Sequence, residues 1–297
     1  PCQAYSLAGR IRDKNGMRND YRNYLFENYA SLVSYYKPKL FVFENVLGLL
    51  SAKPGGEPIV DKIRASFDRI GYAIISDLRD AVFDVADFGV PQHRKRLIIL
   101  GVNKNFFPDY DKTISKFYSL MNSSKVTTRS TVKEALSGLP VIRPNTKGDY
   151  VVEGSTEVTW HTPRKHSLRD QKIFSMLASD IQSGKNQYAS TESLKELYHE
   201  VTGKQSNVHK YYVLRNDEPS NTIPAHLHKD GLRHIHPDPA QARSITVREA
   251  ARLQTFPDDF VFCGSRSDAY KMIGNAVPPK FAKIVAENVS RILNEKE

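Results

Sequence analysis

The run Lys39-Leu40-Phe41-Val42-Phe43 is apolar at every position after its lysine and ends on Glu44-Asn45. This is the pattern of a strand whose two faces are both covered. Such a strand needs helices on either side, which places the chain around it in the α/β class. Tyr72-Ala73-Ile74-Ile75 and Leu97-Ile98-Ile99-Leu100 read as two further strands, the first preceded by a helix around Ile59–Ile70. The alternation over residues 1–105 predicts a parallel sheet, here with only three strands.

Between about Ser119 and Thr131 the chain becomes rich in Ser and Thr, and periodicity stays poor until about Arg243. That stretch carries the single Trp and most of the histidines among Pro and Gly breakers, which predicts a separate loop-rich module with a boundary near residue 122. Regular structure returns at Thr246-Val247-Arg248-Glu249, a capping-box pattern predicting a helix through Leu253 that stops before Pro257. A last helix opens at Pro278-Pro279 and lines up Phe281, Ile284, Val285, Val289 and Ile292 on one face, suited to docking on the core of residues 1–105. The expected domains are therefore 1–122, 123–271 and a returning helix at 272–297.

Lys plus Arg outnumber Asp plus Glu by 43 to 33, a net charge of +10 that favours a polyanionic partner such as nucleic acid. Two cysteines, Cys2 and Cys263, cannot build a disulfide framework or a cysteine-based zinc finger, and they fit a reducing, intracellular setting. No apolar run reaches the about 20 residues of a membrane span.

Three segments carry reactive groups. Cys2 is followed by a stretch to Tyr24 with Arg10, Arg12, Lys14, Arg18 and Arg22, so the thiolate would be favoured and the loop could close on phosphates. A small buried hydrophobe beside a solvated loop accounts for the same residues. Glu44 stands at the end of the apolar strand, where open α/β sheets bind ligands and where partial burial raises a carboxyl pKa, but it could also cap the next helix. Arg94 and Arg96 share one side of an extended chain, where two guanidiniums can grip a phosphate or orient a carboxylate such as Glu44; a solvated basic face is the alternative. His226-Leu227-His228 and His234-Ile235-His236 could supply four imidazoles to zinc. The turn-like Lys229-Asp230-Gly231 between them speaks against it, and no metal is expected.

In chain order, Pro1-Cys2-Gln3, Glu44-Asn45-Val46, Gly89-Val90-Pro91-Gln92 with Arg94 and Arg96, Arg243-Ser244-Ile245-Thr246-Val247-Arg248-Glu249 running on to Arg252-Leu253-Gln254 and Phe256-Pro257, and Gly274-Asn275-Ala276-Val277-Pro278-Pro279 resemble the motifs of the DNA cytosine-C5 methyltransferases. The resemblance implies a Rossmann-like methyltransferase sheet with a smaller target-recognition domain. It implies methyl transfer from S-adenosylmethionine to C5 of a flipped-out cytosine in a specific duplex. Cys2 would add to C6, Glu44 would protonate or hydrogen-bond N3, Arg96 would hold the O2 edge and orient Glu44, and Arg94 would assist.

By the same resemblance Pro1, Leu25, Asn275, Ala276 and Val277 line the donor pocket, and Gln3, Ser6, Arg10, Arg12, Arg22 and Gln92 face double-stranded DNA. The glycine-rich donor motif that opens family members has no counterpart here, which sets up the expectation that an upstream segment or a second polypeptide supplies it. A prokaryotic, cytoplasmic, nucleoid-associated restriction-modification enzyme is implied. A tRNA cytosine-5 methyltransferase and a non-catalytic DNA-binding homologue are the alternatives.

Overall fold

The computed structural model describes residues 5, 21–154, 157–206, 210–229 and 231–294. They pack as two compact units: one holds the described residues up to Phe88, with Arg94–Thr127 and those from Ala282 on; the other holds Gly89–His93 and the rest of Thr128–Phe281.

In the first unit the order is α1 (Leu25–Tyr36), β1 (Leu40–Asn45), α2 (Ile59–Arg69), β2 (Tyr72–Ala73), β3 (Val82–Asp84), β4 (Lys95–Asn103) and α3 (Tyr110–Ser123). The anticipated strands are present and α2 falls where expected, but the sheet is not parallel. β4 is central, with β1 antiparallel along one edge and β2 and β3 antiparallel along the other. β3 and β4 pair antiparallel across the connection 85–94, and the other edge of β4 takes β1. Strand β3 has no counterpart among the expected strands.

β1 is buried on both faces for most of its length, and Leu97–Leu100 and Val102 of β4 are at most 2% exposed. One face is filled by an aromatic cluster in which Phe41 meets Phe67 of α2 at 4.6 Å between ring centroids and Tyr72 of β2 at 5.3 Å, while Tyr29 of α1 meets Phe43 at 5.2 Å. Phe41 lies directly across from Gly101, and a Cβ there would fall inside its ring, so the close approach requires glycine. On β4 the Tyr118 hydroxyl of α3 donates to Ile98 O (3.0 Å). The closing helix Pro279–Asn294 buries Phe281, Val285 and Ile292, with Ile284 and Val289 half-buried, and within the first unit the Asn288 amide donates to the Ser124 hydroxyl (3.1 Å).

The second unit contains α4 (Val132–Leu136), a β5–β6 hairpin (Val141–Pro144, Tyr150–Glu153), α5 (Leu168–Gln182), α6 (Thr191–Thr202), α7 (Val247–Leu253) and α8 (Arg266–Asn275), before α9, the closing helix. The stretch read as loops thus holds two helices, α5 and α6, started by Ser167 and Ser190 caps and sealed by their own cluster of Ile173, Phe174, Leu177, Leu197, Val213 and Ile235. A second cluster, including Ile223, Ile245, Leu253, Tyr270 and Ile273, lies under α7 and α8. The Thr246–Glu249 capping box is present on both sides and α7 ends at Leu253, as the sequence predicts. Among the described residues no helix is long and apolar enough to cross a membrane.

Candidate active site

In the antiparallel register of β1 and β4, Glu44 lies opposite Ile98. Arg96 is two residues along from Ile98 and therefore on the same face as Glu44, as its diagonal neighbour. The Arg96 Nε donates to Glu44 Oε1 at 2.8 Å. The Arg96 side chain is 13% exposed and that of Glu44 35%, so the guanidinium is largely enclosed while the carboxylate keeps one side open. A planar charge-assisted contact of this kind fixes the carboxylate's orientation. Arg96 also donates through Nη1 to Lys95 O (2.8 Å).

Arg94 precedes β4 and is nearly fully buried, and its main-chain N–H donates to Asp84 Oδ1 (2.9 Å). The two arginines are thus in different settings: Arg96 stands with Glu44, and Arg94 is enclosed.

Cys2, Pro1, Gln3, Ser6, Arg10 and Arg12 lie outside the described residues. Tyr5 is described: it is buried, its hydroxyl donates to Asn23 O, and burial pushes its pKa up to about 12. Asn23 belongs with Arg22 to a short 3-10 turn leading into α1, whose first residue Leu25 is half-buried.

In the second unit, Gln92 is not presented to solvent as a DNA contact would be. It is fully buried, its Oε1 accepts from Ile223 N–H (3.0 Å), and its Nε2 donates to Gln254 Oε1. Its neighbours are stitched to the Ser220–Thr222 segment: His93 N–H donates to Ser220 O (2.8 Å), Ser220 N–H to Pro91 O (3.0 Å), and the Thr222 hydroxyl to His93 O (2.6 Å). Sequence reasoning missed that segment; the only local signal is Pro224, which closes an extended stretch. Gln254 in turn donates to Ile273 O (3.0 Å) and Ala276 O (2.8 Å). Asn275 is exposed and Ala276 and Val277 are half-buried just past α8, so this loop offers an amide and small apolar side chains.

The long motif around α7 is structural. Arg243 and Glu249 form a bidentate pair, each nitrogen 2.7 Å from its oxygen, with both side chains at most 1% exposed. Glu249 also accepts from Thr246 N–H (2.7 Å), and the Thr246 hydroxyl meets His161 Nδ1 (3.0 Å). Burial alone would raise the Glu249 pKa, but the charge and hydrogen bonds of Arg243 outweigh it and hold the carboxyl well below its ordinary range. Arg248 is also fully buried and ties Thr159, Pro257 and Phe260 together through their carbonyl oxygens.

Of the four clustered histidines, His236 turns to Glu249 (3.6 Å), and its burial together with the charge of Arg243 pushes its pKa down to about 4. His228 meets Ala225 O (3.2 Å), and His234 is buried. Among the described residues no group of three or more His, Cys, Asp or Glu side chains is placed to hold a metal ion.

The family description "C-5 cytosine-specific DNA methylase" matches the chain over residues 1–291. The chain is 37% identical to the type II methyltransferase M.Bpa9945I of Bacillus paralicheniformis, over 99% of its own length and 69% of that protein's. It is 32% identical to the type II methyltransferase M.DdeI of Desulfomicrobium norvegicum, over 98% and 71% of the two lengths. In three dimensions it is similar to a crystal structure described as a putative DNA modification methyltransferase encoded within a prophage of E. coli, with a TM-score of 0.62, 25% identity, and coverage of 93% of this chain and 75% of that one. The expected second polypeptide draws no support from these likenesses.

Proposed function

Because the chain belongs to the C-5 cytosine-specific DNA methylase family and is a DNA cytosine methyltransferase, we propose that it methylates C5 of a cytosine flipped out of a specific duplex sequence, through a covalent Cys2 adduct at C6. The observation that carries this reading is the Arg96–Glu44 pair at the end of β1: a carboxyl group held in one orientation by a guanidinium, with an open side for a base.

C5 of cytosine is a weak nucleophile until a thiolate adds to C6. In this reading the Cys2 Sγ forms a bond to C6, and the electron pair of the C5–C6 double bond moves onto C5. Glu44 donates a proton or hydrogen bond to N3 and so removes the negative charge that the addition places on the ring. Arg96 keeps Glu44 in place and presents its remaining donors to the O2 edge. After methyl transfer a base takes the C5 proton, the C5–C6 double bond re-forms and Cys2 leaves as thiolate.

The exposed amide of Asn275 and the half-buried Ala276 and Val277 fit the methionine end of S-adenosylmethionine, and the family resemblance assigns Leu25 and Pro1 to donor binding as well. When bound, S-adenosylmethionine supplies an electrophilic methyl group. Gln3, Ser6, Arg10, Arg12 and Arg22 would contact the DNA. Residues 1–122 with 272–297 would form the catalytic domain and 123–271 the target-recognition domain. The likeness to bacterial type II methyltransferases supports a restriction-modification role, and the proposed setting is a bacterial cytoplasm, close to the nucleoid.

The test is trapping on duplex DNA containing 5-fluorocytosine, whose C5 substituent cannot leave as a proton. The wild-type protein with donor is expected to form a denaturation-resistant adduct, and Cys2→Ser none. Methyl transfer at an undiminished rate by Cys2→Ser would defeat the mechanism. Adduct formation with tRNA in place of duplex DNA would move the substrate class, and no adduct with either would leave a binding protein.

A further inference from the structure

The buried contacts around Gln92 and Gln254 form one directional chain. It starts at a main-chain donor, Ile223 N–H, which can only point its hydrogen at an acceptor, and so fixes Gln92 with Oε1 toward Ile223 and Nε2 toward Gln254. Gln254 must then present Oε1 to Gln92 and aim both Nε2 hydrogens at the carbonyl oxygens of Ile273 (3.0 Å) and Ala276 (2.8 Å). Turning either amide over would set oxygen against oxygen in a site where both side chains are 0% exposed. A steric contact joins the same segments, since a Cβ on Gly274 would fall inside the backbone of Pro224 and Ala225.

From these contacts we infer that Gln254, with Gln92 behind it, is a positioning residue for the loop Asn275–Val277. The relay runs from Ile223 to the Ala276 carbonyl and holds the loop at the height at which it receives the methyl donor. Both glutamines are fully buried. The inference rests on the proposed function, in which that loop lines the donor pocket.

The relay has a consequence that ordinary packing lacks: a change at Gln92, which accepts from Ile223 N–H and donates to Gln254 and Leu253 O, should reach the loop through Gln254. In Gln92→Glu one carboxylate oxygen takes the place of the N–H₂ facing Gln254 Oε1, so Gln254 must turn over and oppose its oxygen to the two carbonyls. Gln254→Glu places an oxygen there directly. Leaving a buried acceptor unpaired costs about 1–3 kcal/mol, and 1.4 kcal/mol is tenfold in an equilibrium constant.

The experiment measures the KM for S-adenosylmethionine and the Kd for a duplex substrate at pH 8 and pH 6, with thermal unfolding in parallel. Both variants are expected to raise the donor KM about tenfold at pH 8 with DNA affinity within about twofold of wild type. For Gln254→Glu the donor KM should return toward wild type at pH 6, because a protonated carboxyl donates to the carbonyl where the carboxylate cannot. An unchanged donor KM in Gln92→Glu overturns the relay, as does a parallel loss of donor and DNA affinity that tracks lost folding. A wild-type protein that binds no donor overturns the functional reading, and the relay's role with it; a donor-binding wild type with silent variants overturns the relay alone.

Discussion

Glu44 and Arg96 meet because an antiparallel register makes them diagonal neighbours on one face, and their contact at 2.8 Å holds the carboxylate in one orientation. Lysine at position 96 would keep the charge but lose the planar fork that sets the carboxylate's orientation. Removing the carboxyl function itself removes the proposed proton donor, an effect that general acid catalysis puts at about 10²–10⁴ in rate. Single-turnover methylation is therefore expected to slow in that range for Glu44→Gln and by a smaller factor for Arg96→Lys, with both proteins folded, since neither side chain lies in a sealed core. An Arg96→Lys variant as fast as wild type would show that the guanidinium orients nothing. Glu44 was legible from its place after an apolar run. Spacing alone does not separate Arg94 from Arg96, which share one side of an extended chain; the family resemblance named Arg96 as the partner of Glu44, and the two side chains do meet.

Helix α8 makes the opposite demand on its glycine from the one that helix propensity makes. In an isolated helix Gly→Ala is favourable by about 1 kcal/mol. At Gly274 the new Cβ would meet the backbone of Pro224 and Ala225, which cannot rotate away, and overpacking of that kind costs about 1–3 kcal/mol. The second effect wins: Gly274→Ala is expected to lower the denaturant midpoint, and a midpoint equal to or above wild type would sink this reading of the contact. The helix starts at Thr246 and the closing helix were legible because caps and apolar spacing are local signals. Helices α5 and α6 carry the same signals, Ser167 and Ser190 at their starts and Ile173, Phe174, Leu177 and Ile181 along one face, but the breakers around them masked the period.

The second unit buries titratable groups in forms that acid undoes. Burial, with help from Arg164 at His166 and Arg243 at His236, pushes both imidazoles down to about 4, from an ordinary value near 6.5. With folded pKa values below the unfolded ones, the unfolded chain binds more protons between pH 6.5 and 4. The stability these neutral imidazoles provide is present above 6.5 and drains as pH falls toward 4, by up to about 1.4 kcal/mol per pH unit for each. Glu249, depressed by Arg243, adds a further loss below the ordinary carboxyl range. Unfolding midpoints are expected to drop steadily over that window and His166→Asn to flatten the slope; a wild-type profile flat from pH 7 to pH 4.5 would contradict both assignments.

Motif order along 297 residues, the α/β class, the capping box at Thr246 and the presence of a carboxyl, two guanidiniums and a pair of glutamines at set positions were all readable from composition and short-range spacing. Those signals are local, and a few neighbouring residues suffice to express them. The antiparallel sense of the sheet, the inward turn of Gln92 and the conversion of the Arg243–Glu249 motif into a buried ion pair came from the folded chain. Each depends on which distant backbone lies opposite and on how much water is left between them, and a linear pattern encodes neither.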